Sequence, residues 1–264
     1  MNKLVIVMIA IVVIVAVVTS IIFFTTPLNI PSTTPSTTPK QKPKLRVGTS
    51  PDFPPFEYTD EAGNVVGIDI DLIKSIAAKL GYEVEIVQIQ FSGLIEALEQ
   101  GVIDIAISGI TITEDRAKRV DFTNPYWEAD QAILVAKGSS FKPRSLKDLE
   151  GKVVGVQTGT TAASLLDELK ANGTNVEIKS YTSYTLAVQD LVNGRVDAVV
   201  VDSPVARTLA AKYNVEVASI IPTGEKYGIA VKKGNTELLE KINKVLQEIL
   251  NGDEWQKIIS KYLG

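Results

Sequence analysis

The sequence predicts an α/β protein of two similar lobes facing each other across a cleft, and three observations carry that prediction. One short pattern occurs twice, at 98–109 (LEQGVIDIAISG) and 191–202 (LVNGRVDAVVVD). In each copy an amphipathic run stops at a glycine suited to the left-handed helix cap, Gly101 or Gly194, and after two further residues an Asp opens an apolar run. A second pair, 46–50 (RVGTS) and 153–157 (VVGVQ), consists of apolar strands that break into small polar residues. Strand and helix signals also alternate from Leu45 onward, the pattern that builds parallel sheets. Ligands of open α/β sheets sit outside the carboxyl ends of the strands, so function is sought where those ends meet.

The elements follow in order. Residues 4–24 are uncharged and almost wholly apolar, about the ~20 residues a bilayer-spanning helix needs, with Lys3 in front. The run is longer than the roughly 7–15 residues of a secretory core, and Phe23-Phe24-Thr25 is a poor cleavage site. We therefore expect a transmembrane anchor at 4–24 behind a cytoplasmic 1–3, with the protein secreted if this segment is a cleaved signal. Residues 25–43 are rich in Pro, Thr and Ser, lack the apolar residues to fold, and read as a stalk. The body would then lie outside the cytoplasm.

Within the body, a strand at 45–49, a helix at 69–80 stopped by Gly81, a strand at 83–87, a helix at 92–100 and a strand at 104–108 form the first βαβαβ series. The second series runs through a strand from Lys152, a helix at 160–171, a strand at 176–180, a helix at 183–192, a strand at 197–201 and a helix after Ser203. Short apolar runs at 132–137 and 228–232 are expected to be the two crossover strands between the lobes, and amphipathic helices at 236–250 and 254–262 to return to the first lobe. Lobe 1 would comprise 44–135 with 228–264, and lobe 2 would be 136–227. A two-strand hinge predicts bending closure around a ligand.

Composition removes several functions. The 264 residues contain no Cys and no His, which excludes a thiolate nucleophile, a Ser-His-Asp triad and the usual zinc ligands, so neither catalysis by those groups nor a metal or cofactor is expected. Net charge is −4, and with Lys3, Lys40 and Lys42 set aside the body holds 24 basic against 31 acidic residues, about −7. That argues against nucleic acid as a partner. Asn172-Gly173-Thr174 forms a glycosylation sequon of low selectivity.

The strand ends carry the chemistry. Thr113 is placed to cap a short helix with Glu114 and Asp115 in its first turn, which sets Arg116 beside the end of the 104–108 strand. There its planar fork suits a carboxylate, or else it pairs with Asp115 or Asp121. Gly159-Thr160-Thr161 opens a helix whose first amides favour an anion. Asp202 ends its strand before Ser203-Pro204 and is either a helix cap, a cleft carboxylate for an ammonium group, or both. An Arg and helix amides for an anion, facing an Asp for a cation, describe an α-amino acid zwitterion. Phe53, Phe91 and Tyr126-Trp127 near the strand ends would supply apolar walls that can also stack on a cation.

The segments Pro54-Pro55-Phe56-Glu57 with Gly67-Ile68-Asp69-Ile70-Asp71-Leu72, Phe91-Ser92-Gly93-Leu94-Ile95, Ser108 through Arg116, Asp121 through Tyr126, and Gly155 through Thr161 resemble the polar amino-acid solute-binding proteins of ABC importers, family 3. The resemblance covers essentially all of 44–264. It implies a two-lobed periplasmic-binding-protein fold of type II, a monomer that traps one free amino acid and delivers it to a membrane permease with its ATPase. It also implies that Arg116 and the Thr161 amide, beside Thr160, hold the α-carboxylate. Gly109, Thr111 and Asp202 would hold the α-ammonium, and Phe53 and Phe91 sandwich the side chain.

Two departures bear on the ligand. Ser50 stands where several histidine- or lysine-binding relatives carry Asp, and Gln157 where some glutamine binders carry Lys, which weakens an acidic-ligand reading. Val201 stands where a glutamine-binding relative has His. Asp52, Glu57 and Asp130 are candidate carboxylates for a distal guanidinium, so arginine or another basic amino acid is expected first and glutamine second. The same fold serves cyclohexadienyl dehydratases on arogenate or prephenate, and amino-acid sensor modules of kinases and channels. Those are the competing expectations.

Overall fold

The computed structural model describes residues 42–263; the expected anchor at 4–24 and all but the last two residues of the stalk lie outside them. Among the described residues no helix is long and apolar enough to cross a membrane.

Two five-stranded sheets organise the body. The first runs Glu83–Gln88, Lys44–Thr49, Ile105–Ala106, Ala230–Lys232, Val120–Phe122; the second runs Glu177–Tyr181, Val153–Gln157, Ala198–Asp202, Trp127–Ala136, Val215–Tyr227. In each, three parallel strands are followed by one antiparallel strand and then by a fifth antiparallel to the fourth. The repeated sequence pattern is therefore a repeated sheet order.

Its glycines and aspartates have the same work in both copies. Gly101 (φ 71°) and Gly194 (φ 68°) both end their helices in the left-handed region. Asp104 accepts the Arg46 N–H at 2.8 Å and Asp197 accepts the Val153 N–H at 2.8 Å, so each Asp ties the start of the third strand to the first. Asp104 also receives Arg46 Nη2 at 2.6 Å, half exposed to solvent. Asp104→Ala is accordingly expected to cost about 2 kcal/mol and Asp197→Ala about 1 kcal/mol in urea unfolding. Equal losses would mean that the Arg46 pair adds nothing.

The helix Ile68–Leu80 buries Ile68, Ile70, Leu72, Ile73, Ile76 and Ala77 on one stripe, and Gly81 closes it in the left-handed conformation. The helices Thr236–Leu250 and Asp253–Leu263 pack back onto it, with Lys261 on Asp71 at 2.6 Å and Lys79 on Glu254 at 3.2 Å. One apolar cluster crosses from sheet to sheet through Phe53, Phe56, Tyr126, Tyr184 and Tyr227.

The runs expected to cross between the lobes fall in one sheet each: Trp127–Ala136, longer than the expected 132–137, ladders into the second sheet beside Val215–Tyr227, and residues 228–232 supply Ala230–Lys232, which ladders into the first sheet. The strand Val215–Tyr227 carries Pro222-Thr223-Gly224, a turn signal. The turn is real but sits inside the strand: the register shifts between Ile221 and Glu225, and Asp130 accepts the Thr223 and Gly224 N–H groups at 2.8 and 3.0 Å. Cross-strand pairing with Trp127–Ala136 carries the ladder past the interruption. The 104–108 strand is also shorter than expected, with only Ile105–Ala106 laddered, because Ser108 and Gly109 already turn into the strand-end loop.

Candidate functional site

The end of the Ile105–Ala106 strand opens into Ser108–Thr113. Gly109 has φ 52° and gives its N–H to Asp69 Oδ2 at 2.9 Å, and a Cβ there would lie 2.6 Å from Phe53 Cε1. Both the positive φ and the overlap with a buried ring require glycine. Gly109→Ala is expected to destabilise the chain by about 2 kcal/mol or more. A melting temperature within a degree of the parent would refute this.

Thr113 caps the helix Glu114–Arg119 by accepting the Arg116 N–H at 3.2 Å. The Arg116 guanidinium gives Nη1–H to the Thr111 carbonyl at 2.8 Å and Nη2–H to the Gly159 carbonyl at 3.0 Å, and lies 5.3 Å from the Phe91 ring centroid. Neither acidic neighbour takes it, because Asp115 pairs with Lys118 and Asp121 with Lys233. Arg116 thus joins strand-end loops of the two sheets. A cavity of about 850 Å³ opens beside it, bordered by Thr111, Pro125, Gly159, Thr161 and Glu225.

On the second sheet, Thr160 caps the helix Thr161–Ala171 by accepting the Ala163 N–H at 3.2 Å, and its hydroxyl donates to the Gln157 carbonyl at 2.8 Å. Gln157 Nε2 donates to Asp52 Oδ2 at 3.0 Å, which also accepts the Tyr184 N–H at 2.8 Å, while Ser50 Oγ donates to Asp52 Oδ1 at 2.9 Å. Ser50, Asp52 and Phe53 from the first sheet's loop therefore meet Gln157 and Tyr184 from the second; the Phe53 and Tyr184 ring centroids are 5.7 Å apart.

Asp202 occupies the N-cap position of the helix Ser203–Lys212, yet its side chain makes no capping bond. Its carboxylate receives Gln131 Nε2 at 2.8 Å and the Tyr227 hydroxyl. Of the two roles open to it in the sequence, capping is the one it does not perform. Burial, and then the nearby Glu225 charge, push it up to about 7.

Three residues that the sequence did not single out complete this floor. Glu225 accepts Thr111 Oγ1 at 2.5 Å, Thr161 Oγ1 at 2.8 Å and Gln131 Nε2 at 2.8 Å. Gln131 and Tyr227 bind Asp202 as described. Glu225 and Tyr227 lie on Val215–Tyr227, a strand the sequence reading did not place, and Gln131 lies on Trp127–Ala136 just ahead of the expected run 132–137. A further pair sits behind Ser108 and Gly109. Glu57 accepts Ser108 Oγ at 2.8 Å, and Asp69 accepts Gly109 N–H and Tyr126 OH, each at 2.9 Å. Both are fully buried, and Glu57 Oε2 and Asp69 Oδ1 receive no N–H or O–H of the described residues. Burial raises Asp69 to about 6, and burial with the Asp69 charge beside it raises Glu57 well above its usual range.

Two candidates leave the site. Asp130 caps the Thr223–Gly224 turn, which holds its carboxyl below the usual range, and is no cleft carboxylate. Trp127 packs edge-on against Phe56 at 5.1 Å and Trp255 at 6.2 Å, in the core. Among the described residues no group of three His, Cys, Asp or Glu side chains is placed to hold a metal ion.

The profile of the bacterial extracellular solute-binding proteins, family 3, matches residues 45–264. The chain belongs to this family. A probable histidine-binding protein of Neisseria gonorrhoeae is 36% identical over 224 residues, 83% of this chain and 82% of that protein. The solved structure of an ancestral arginine-binding protein bound to arginine is 48% identical with a TM-score of 0.81, covering 85% of this chain and all of that one. An ancestral arginine-binding protein bound to glutamine is also 48% identical, with a TM-score of 0.80 over 85% of this chain and 99% of that one. As a member of this solute-binding family, the chain has the two-lobed fold and is a binding protein working outside the cytoplasm, not an enzyme.

Proposed function

We propose that this solute-binding protein captures one basic amino acid, arginine first, and presents it to the permease of an ABC importer. The observation that carries the choice is charge. Arg116 feels the charges of Asp202 and Glu225, and the carboxyls of Asp52, Glu57 and Asp69 lie at the same strand-end loops, all five buried or half-buried. A neutral zwitterion leaves that excess of acid unbalanced, whereas a ligand with a second cationic group offsets it. The Glu57–Asp69 pair is the acceptor for the distal guanidinium, because its Oε2 and Oδ1 atoms receive no N–H or O–H of the described residues. Arg116 and the first amides of the Thr161–Ala171 helix take the α-carboxylate; Asp202, Thr111 and Gly109 take the α-ammonium; Phe53 and Phe91 flank the side chain, with Ser50, Gln157 and Thr160 holding the loops that carry them.

We divide the lobes as 44–126 with 228–264, and 127–227, because Trp127–Ala136 is laddered throughout into the second sheet. The expected boundary at 135 moves accordingly. The apolar 4–24 segment would keep the body tethered beside its permease.

The test is thermal unfolding of the purified full chain with each of the twenty amino acids, since a ligand at 100 times its Kd adds ~2.7 kcal/mol to the folded state. Arginine or lysine should give the largest rise in melting temperature. A rise with glutamine alone keeps the transport role and rejects the basic ligand; no rise with any amino acid rejects both.

A further inference from the structure

Glu225 lies on the strand Val215–Tyr227, where the ladder resumes after its register shift, and its side chain is buried. The hydroxyl protons of Thr111, from the first sheet's strand-end loop, and of Thr161, from the second sheet's helix, both go to Glu225 Oε2. A hydroxyl has one proton, so each threonine then has only lone pairs left to offer. The Gln131 amide is held the same way: Nε2 is committed to Glu225 and Asp202, and Oε1 receives no donor from the described residues. Every donor of this floor is drawn inward by two carboxylates, and what remains is acceptors.

We propose that Glu225 is a specificity-determining residue that fixes the polarity of the α-amino subsite, making Thr111 an obligate acceptor that admits a protonated amine and rejects ligands lacking one. The inference rests on the amino-acid reading given above. A site built of buried acceptors discriminates strongly against an analogue that leaves them unpaired. In Glu225→Gln the amide N–H can donate to a threonine oxygen, freeing a hydroxyl proton that then opposes an ammonium group.

The experiment compares arginine with 5-guanidinopentanoate, the same molecule without its α-amine, by calorimetric titration of the full chain and of Glu225→Gln. The expected result is an arginine affinity at least 30-fold weaker in the variant, with the des-amino acid changed less than threefold. Thr111→Val, which keeps shape and every charge but removes the acceptor, should narrow the preference for arginine at least tenfold as well; it separates acceptor polarity from loss of charge and covers a Glu225→Gln chain that fails to fold. Equal weakening of both ligands in Glu225→Gln, or a preference unchanged in Thr111→Val, overturns the proposal. If the parent chain binds no arginine, the ligand assignment has failed instead, and the pair becomes whichever amino acid raises the melting temperature and its des-amino counterpart.

Discussion

Arg116→Ala is expected to weaken amino-acid binding by about 100-fold or more, a loss of about 3 kcal/mol, the range for removing one partner of a desolvated, hydrogen-bonded charge pair. The helix Glu114–Arg119 fixes where the side chain starts, and bonds to the carbonyls of Thr111 and Gly159 fix where its guanidinium ends. Burial lowers its pKa while the charges of Glu225 and Asp202 oppose that lowering, so those carboxylates help keep it ionised. The alanine variant leaves them facing each other without their cation. Arg116→Lys retains the charge but cannot span two carbonyls and a carboxylate with one planar fork, so it should recover only part of the affinity. Calorimetric titration decides: an alanine variant within threefold of the parent would remove Arg116 from the carboxylate subsite.

The second large effect is on pH. Asp202 titrates at about 7 and Asp69 at about 6, both raised by burial, so at pH 5 the site holds protons that a cationic ligand must displace. Binding therefore releases protons, and affinity for a basic amino acid should rise by up to about tenfold per pH unit for each proton released, roughly 50-fold between pH 5 and 7 from Asp202 alone, then level off. Asp202→Asn should bind about 100-fold more weakly at pH 8 and lose that part of the slope. The same shifts act on folding in the opposite sense. A carboxyl raised by burial holds its proton more tightly folded than unfolded, so between about pH 4 and 7 rising pH removes stability from the ligand-free chain. Melting temperature without ligand should fall over that window while the ligand-induced rise grows; a ligand-induced rise independent of pH would show that neither carboxyl meets the ligand's cations.

Much of the fold was legible because it is locally encoded. Gly101 with Asp104, and Gly194 with Asp197, mark the two copies of one helix–turn–strand unit, and their glycine conformations and backbone bonds depend on neighbours close in sequence or in an adjacent strand. The candidate residues named from the sequence stand at or beside strand ends, with Gln157 and Asp202 closing their strands, Thr161 and Phe91 opening helices, and Phe91 under the Arg116 guanidinium. Those positions follow from strand ends, and strand ends follow from apolar runs.

By itself, then, the sequence determined the two-lobed α/β architecture, the strand-end loops, and the caps at Thr113 and Thr160. Tertiary structure alone decided which groups share a site. Val215–Tyr227 reads as broken by Pro222 and Gly224, and it is a strand only because Trp127–Ala136 lies beside it to complete the ladder. That pairing brings Glu225 against Thr111, 114 residues away in the chain, and draws Asp202 away from capping toward Gln131 and Tyr227. Periodicity and capping report interactions over a few residues, whereas hydrogen bonds between distant carboxylates and hydroxyls, and the burial that raises their pKa values, exist only once the sheets are assembled.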